Sequence, residues 1–202
     1  MRNALITANV FQNVFKNVLT PQVPSGTYYV DLLRRLAVQP IRWYMTAFDY
    51  NLARSFLDIF RLRGDRSDWE PYLALLNQVR IIPVDEHILD EAVFYSQRNF
   101  CESLRLACAV AHYLEAIVTW EPYLFTRTAS ERQECTNNWY FFVRIPAESV
   151  EPAPESSPYR IGVFSVGAFL LFLDDADRQR FLEGLRIQYF CLKECHLFCS
   201  AE

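Results

Sequence analysis

Apolar residues along this chain fall into short blocks with two kinds of spacing. Ala4-Leu5-Ile6 is an unbroken run, and Val10, Phe11, Val14, Phe15 and Val18 then follow at the three- and four-residue steps of one helix face. A strand therefore passes through a turn at residue 7 into a helix, which Pro21 and Pro24-Ser25-Gly26 end. Residues 28–38 predict a second helix, with Val30, Leu33 and Ala37 on one side and Arg34-Arg35 on the other. Residues 41–46 read as a strand, and a long helix over about 49–63 repeats Leu52, Phe56, Ile59 and Phe60 until Gly64-Asp65 breaks it. Ser67-Asp68-Trp69-Glu70 has the form of a capping box opening the next helix, which carries Tyr72, Leu75, Leu76 and Val79. Residues 80–84 form a short strand. Asp85 caps a helix bearing Ile88, Leu89, Ala92 and Val93, Asn99 caps the small-residue helix that holds Glu102, and residues 116–119 are again strand.

Strands alternating with helices predict a parallel sheet covered on both faces, because parallel crossovers take a dozen residues or more. Such sheets put ligands at the carboxyl ends of their strands, and three of those ends are Thr7, Thr46 and Thr119. Residues 127–138 are polar and read as loop, and residues 139–145 as a further strand. Residues 146–158 hold four prolines, three glutamates and three serines, the composition of a linker. Residues 160–165 read as strand, 166–173 as a short helix, and 174–198 as a last helix faced by Phe181, Leu185, Tyr189 and Leu192. The expected organisation is one α/β domain over 1–173 with an insertion at about 130–159, then a helical extension over 174–202.

Composition narrows the classes. With 51% hydrophobic and 22% charged residues the 202-residue chain is expected to be globular rather than disordered. A net charge of −4 offers no general attraction to nucleic acid, and Lys16 and Lys193 are the only lysines. Arg34, Arg35, Arg42, Arg54, Arg61, Arg63 and Arg66 gather in the first third, where they suit phosphate contacts or, at a helix end, the helix dipole. No apolar run reaches the ~20 residues a bilayer requires, and the start runs straight into a strand with no signal peptide. No membrane association and a cytoplasmic location are expected. Six cysteines show no disulfide spacing; Cys101 and Cys108 fit buried positions in an apolar helix. Cys191, Cys195 and Cys199 would spread over ~12 Å of helix, too far to meet one zinc ion. His87 and His112 stand without spaced partners, and 5 glycines leave no phosphate-cradling loop.

Four segments carry the candidate chemistry: Leu5-Ile6-Thr7-Ala8-Asn9-Val10, Asn99-Phe100-Cys101-Glu102-Ser103-Leu104, Val118-Thr119-Trp120-Glu121-Pro122-Tyr123-Leu124-Phe125, and the closing strand and helix from Arg160 to Leu170. In this order and spacing they resemble the PIN domain, a metal-dependent nuclease fold, over residues 3 to about 129 and 160–173. The resemblance implies a three-layer α/β/α fold with a central parallel sheet, plus an extra strand, linker and C-terminal helix. It also implies kinship with the toxin ribonucleases of toxin–antitoxin pairs. Such enzymes hydrolyse RNA with Mg²⁺ or Mn²⁺ held by three or four carboxylates. RNA, an antitoxin-like or other protein, and a second copy of the chain are the partners it implies.

Several acid positions of that pattern are empty of acids here. Thr7 stands at the first, Asn51 at the second, Asn99 at the start of the third segment, and Leu124 before Phe125. Glu102, Glu121 and, from a shifted register, Asp49 remain as metal-binding and catalytic candidates, with Asn9, Thr46 and Thr119 adjoining them. One charge removed at ~4 Å, in an effective dielectric of ~20, forfeits about 4 kcal/mol of attraction before desolvation offsets it. The expectation is therefore lost or weakened cleavage and a role as an RNA- or protein-binding module. The alternative is an active Mg²⁺- or Mn²⁺-dependent endoribonuclease using the rearranged set Asp49, Glu102 and Glu121. On the first of these readings, that of lost or weakened cleavage, Thr7→Asp is expected to restore metal binding.

Overall fold

The computed structural model describes residues 3–19, 26–94, 99–125, 140–144 and 160–173. Its strands are β1 (Asn3–Ile6), β2 (Arg42–Thr46), β3 (Arg80–Ile82), β4 (Ala116–Thr119), β5 (Tyr140–Arg144) and β6 (Arg160–Ser165). Its α-helices are α1 (Ala8–Leu19), α2 (Gly26–Ala37), α3 (Ala47–Arg63), α4 (Arg66–Leu76), α5 (Glu86–Phe94), α6 (Phe100–Ala111) and α7 (Val166–Leu173), with a 3₁₀ turn at Pro122–Phe125. The sheet order is β3-β2-β1-β4-β6-β5. Five strands run parallel, and β5 joins the outer edge antiparallel to β6, with Phe142 opposite Gly162. The expected three-layer α/β/α architecture is what the chain forms. The expected loop at 127–138, the linker at 146–158 and the final helix with Cys191, Cys195 and Cys199 lie outside the described residues.

The two-residue period of the strands divides the core. Ala4, Ile6, Trp43, Met45, Ala116, Val118 and Phe164 face one way, onto buried residues of α1, α2, α3, α4 and α7. Leu5, Ile117, Ile161 and Val163 face the other way, onto Ile88 and Ala92 of α5 and Leu106 to Val110 of α6. On the larger side Phe11, Phe60 and Tyr72 are fully buried rings, with Phe11 and Tyr72 centroids 4.7 Å apart. Such tilted aromatic pairs contribute about 1 kcal/mol beyond the area they bury. On the smaller side burial pushes the Cys108 thiol up to about 12, so this cysteine is an inert core residue.

Local signals set the helix ends, with two departures from expectation. α4 begins at Arg66 behind Asp65, whose extended backbone precedes it without a side-chain cap, so Ser67 is already inside the helix. Glu70 instead lies 3.5 Å from Arg66, one turn away on the exposed face, which removes the capping-box partner. Pro71 sits within the same helix and has no N–H for the carbonyl of Ser67 four residues earlier. That carbonyl accepts from Arg34 of α2 at 3.1 Å, so the freed acceptor stitches α2 to α4. The second departure is α3, which starts at Ala47 rather than near Asp49: Thr46 is its cap, and its hydroxyl accepts from the Asp49 N–H at 3.0 Å. At the far end of α6, Tyr113 takes a positive φ of 50°, while Leu114 N–H reaches Ala109 O at 2.9 Å and Tyr113 N–H reaches Val110 O at 3.0 Å. These two bonds are a Schellman ending, with tyrosine where glycine is favoured. Among the described residues no helix is long and apolar enough to cross a membrane.

Candidate functional site

The carboxyl ends of β1, β2 and β4 lie side by side, and the helix starts that follow them bring polar residues into a largely apolar interior. Thr7, Thr46 and Thr119 are all buried there, as are Asp49 and Glu102. Asp49 occupies the first turn of α3 because Thr46 caps that helix, and it is fully enclosed. Asn51 is two residues further on, about 200° around the helix, and is exposed. Of the two candidates in this segment, only Asp49 enters the interior.

The centre of the cluster is a residue that the sequence pattern left unmarked. Arg105, one turn after Glu102 on α6, is 8% exposed. Its Nε donates to Asp49 Oδ2 at 2.9 Å, and one terminal nitrogen donates to Asp49 Oδ1 at 2.7 Å, a two-pronged pair. The other terminal nitrogen donates to Glu102 Oε1 at 2.6 Å. Asp49 also accepts from the Ala8 N–H at 3.0 Å and from the Thr46 hydroxyl at 2.9 Å, so its two oxygens take four donors. Glu102 Oε2 is buried and accepts from no protein group.

Burial pushes the Glu102 carboxyl above its ordinary value; Arg105 and the Glu102 backbone N–H pull the other way, and Asp49 and Glu121 add to the rise. Burial alone would lower Arg105, but its bonds to Asp49 and the charges of Asp49 and Glu102 carry it upward. The guanidinium therefore stays charged, while burial disfavours Glu102 as an anion.

A second network ties α1 to the end of β4. The Thr7 hydroxyl donates to Asn9 Oδ1 at 2.6 Å, and Asn9 Nδ2 donates to Thr119 Oγ1 at 2.9 Å. The Trp120 N–H donates to Asn9 Oδ1 at 3.2 Å, its indole N–H donates to Val10 O at 3.3 Å, and the Glu121 N–H donates to Thr119 Oγ1 at 3.3 Å. Asn9, Thr7 and Thr119 thus act as cross-links over the strand ends. Glu121 is half-buried just beyond them, near enough for its charge to act on Glu102. Asn99 is exposed and caps α6 by accepting from the Cys101 N–H at 3.0 Å. Leu124 is half-buried in the 3₁₀ turn.

These donors do not fit Mg²⁺ or Mn²⁺ as they stand. Hard cations need several carboxylate oxygens turned toward one point. Here both oxygens of Asp49 and one of Glu102 already face the Arg105 guanidinium. Among the described residues no three His, Cys, Asp or Glu side chains are grouped to hold a metal ion. A divalent ion would first have to displace a cation fixed by three charged hydrogen bonds.

The arginines of the first third are elsewhere. Arg42 opens β2 at the end opposite Thr46, and Arg63 is about 20 Å along α3 from Asp49. Arg34 pairs with Asp31 at 2.7 Å, Arg54 with Asp58 at 3.8 Å, and Arg61 lies over the Trp69 ring at 5.2 Å. His87 is exposed, and His112 caps the end of α6. No protein-family model matches this chain, and neither does any curated protein.

Proposed function

We propose that this chain is a PIN-like protein of toxin-ribonuclease ancestry in which metal-dependent RNA cleavage is lost, leaving a binding module. One observation carries the reading: Arg105 stands between Asp49 and Glu102 and takes up the carboxylate oxygens that a nuclease would offer to its metal. Thr7, at the first acid position of the resemblance, supports it, because its hydroxyl is spent on Asn9.

A protein partner suits the surface better than RNA does. The net charge is −4, and several arginines of the first third are paired with neighbouring acids or stacked on an indole. Exposed Phe48, Leu62, Val93 and Phe100 supply apolar contact area. An antitoxin-like protein or a second copy of the chain belongs to this class.

The test is incubation of purified protein with Mn²⁺ or Mg²⁺ and a mixed RNA substrate. No cleavage at micromolar protein is expected. Cleavage that Glu102→Gln abolishes would instead establish the second reading, an endoribonuclease using Asp49, Glu102 and Glu121. Two observations favour that alternative: the unpartnered Glu102 Oε2 and the proximity of Glu121's charge.

A further inference from the structure

We infer that Arg105 is this protein's built-in cation: its guanidinium holds together the acids of the strand-end pocket, and the pocket accepts a free cation only once Arg105 is removed. This rests on the proposed reading of Asp49 and Glu102 as the remnant of a metal pocket, and it concerns what now binds them.

Three features lead here. The first is connectivity. Asp49 belongs to α3 and Glu102 to α6, on opposite faces of the sheet, and the Ala8 N–H of α1 also closes on Asp49. Arg105 reaches Asp49 across 56 residues of sequence, so the guanidinium joins helices that share no other charged bond among those described. A divalent ion in such a pocket would make the same cross-connection.

The second is charge. One guanidinium faces two carboxylates in a buried setting, with Glu121 acting on the same point. Without the guanidinium, two acids would be left enclosed with no cation, a condition that either protonates them or recruits a cation from solution. The third is the spare acceptor. Glu102 Oε2 is enclosed and takes no protein donor, so the pocket retains one carboxylate oxygen for an incoming ion. Arg105→Ala would free Oε1 of Glu102 from the guanidinium and leave each Asp49 oxygen with one donor, the Ala8 N–H or the Thr46 hydroxyl. Guanidinium itself, matching the vacated fork, and a small divalent ion are the two chemistries that fit.

The experiment compares thermal melting of the wild-type protein and Arg105→Ala with no addition, with millimolar guanidinium chloride, with millimolar MnCl₂, and with sodium chloride at equal ionic strength. Wild-type melting is expected to ignore all three salts. Arg105→Ala is expected to melt roughly 10 °C lower, as loss of one partner of a buried ion pair implies for a chain of this size. Guanidinium or Mn²⁺, but not sodium, should return roughly 5 °C, the gain of a ligand present well above its Kd. An Arg105→Ala protein that melts with the wild type, or that neither cation stabilises, would overturn the inference. So would a wild-type protein that Mn²⁺ stabilises more than the variant.

A measurement on the intact protein stands beside this, should Arg105→Ala not fold. Mn²⁺ added to ¹⁵N-labelled wild type is expected to broaden the Asp49 and Glu102 amide signals no more than that of exposed Asp58. Selective broadening at Asp49 and Glu102 would place the metal beside Arg105 in the intact protein and would overturn the inference. RNA cleavage by the wild type is read separately: it would remove the proposed function without moving any of these melting temperatures.

Discussion

Asp49→Asn is the sharpest probe of the buried cluster, because it changes one charge and almost no volume. In the folded protein the Asp49 carboxylate takes four donors, two of them from Arg105. An asparagine presents one oxygen and one NH₂ group, so either the Ala8 N–H and one arginine nitrogen, or the Thr46 hydroxyl and Arg105 Nε, must face a donor. At the 2.7 Å separation of the pair and an effective dielectric of ~20, the lost attraction is about 6 kcal/mol. Relief from desolvating the carboxylate returns part of that, and measured losses on breaking buried pairs cluster at about 3–5 kcal/mol. We expect a fall of about 3 kcal/mol, a large share of the ~5–15 kcal/mol that holds a typical domain folded. Urea unfolding measures it: the midpoint should drop while the slope stays constant, the sign of a changed stability rather than a changed denatured state. Asp58→Asn is the control on the same helix, since Asp58 is exposed and its Arg54 partner is 3.8 Å away. That change should stay within ~0.5 kcal/mol of wild type. An Asp49→Asn protein equally close to wild type would refute the reading that the Asp49–Arg105 pair anchors the strand ends.

Three further outcomes follow from the same geometry. Glu102 binds its proton more tightly in the folded protein than its ordinary value of 4.5, so its favourable contribution is complete below that pH and is lost as pH rises through the raised pKa. Glu102→Gln fixes the neutral form, and its urea midpoint should gain on wild type as pH climbs from 4.5 toward neutrality; a wild type that gains on the variant contradicts this. Thr7→Asp alone should lose roughly 3 kcal/mol by burying an acid beside Asp49, and calorimetry should find Mn²⁺ at least tenfold tighter in Thr7→Asp with Arg105→Ala than in Thr7→Asp. Equal affinities would show that Arg105 does not block the pocket. Gly64→Ala should cost about 1–3 kcal/mol in thermal unfolding, because its Cβ would lie 2.6 Å from Phe60 Cε2 of a fully buried ring.

The alternation of apolar runs with helical spacing was enough to place the parallel sheet, since each strand and its helix show their periods within a dozen residues. Asp85 and Asn99 behave as caps because capping is local: Asp85 Oδ1 accepts from the Ile88 N–H at 2.9 Å. The site was less legible. Which of Asp49 and Asn51 turns inward depends on where the helix starts, and that start is set by Thr46, three residues before Asp49. Arg105 was missed because its partner lies 56 residues away, and Glu102–Arg105 alone resembles any surface pair one turn apart. A signal was present, however. An arginine between Leu104 and Leu106, in a helix that continues Ala107-Cys108-Ala109-Val110, has no polar face to occupy and therefore calls for a buried acid.

Strand order also bears on how the chain comes to be made. β1 lies between β2 and β4, with Leu5 beside Tyr44 on one side and Ile117 on the other. The bond from Asn9 to Thr119 spans 110 residues. At a synthesis rate of ~5–20 residues per second, the ribosome needs roughly 5–20 s to deliver β4 after β1. During that interval the edge of β1 that will pair with β4 has no strand to bond to, and the centre of the sheet closes only when β4 arrives.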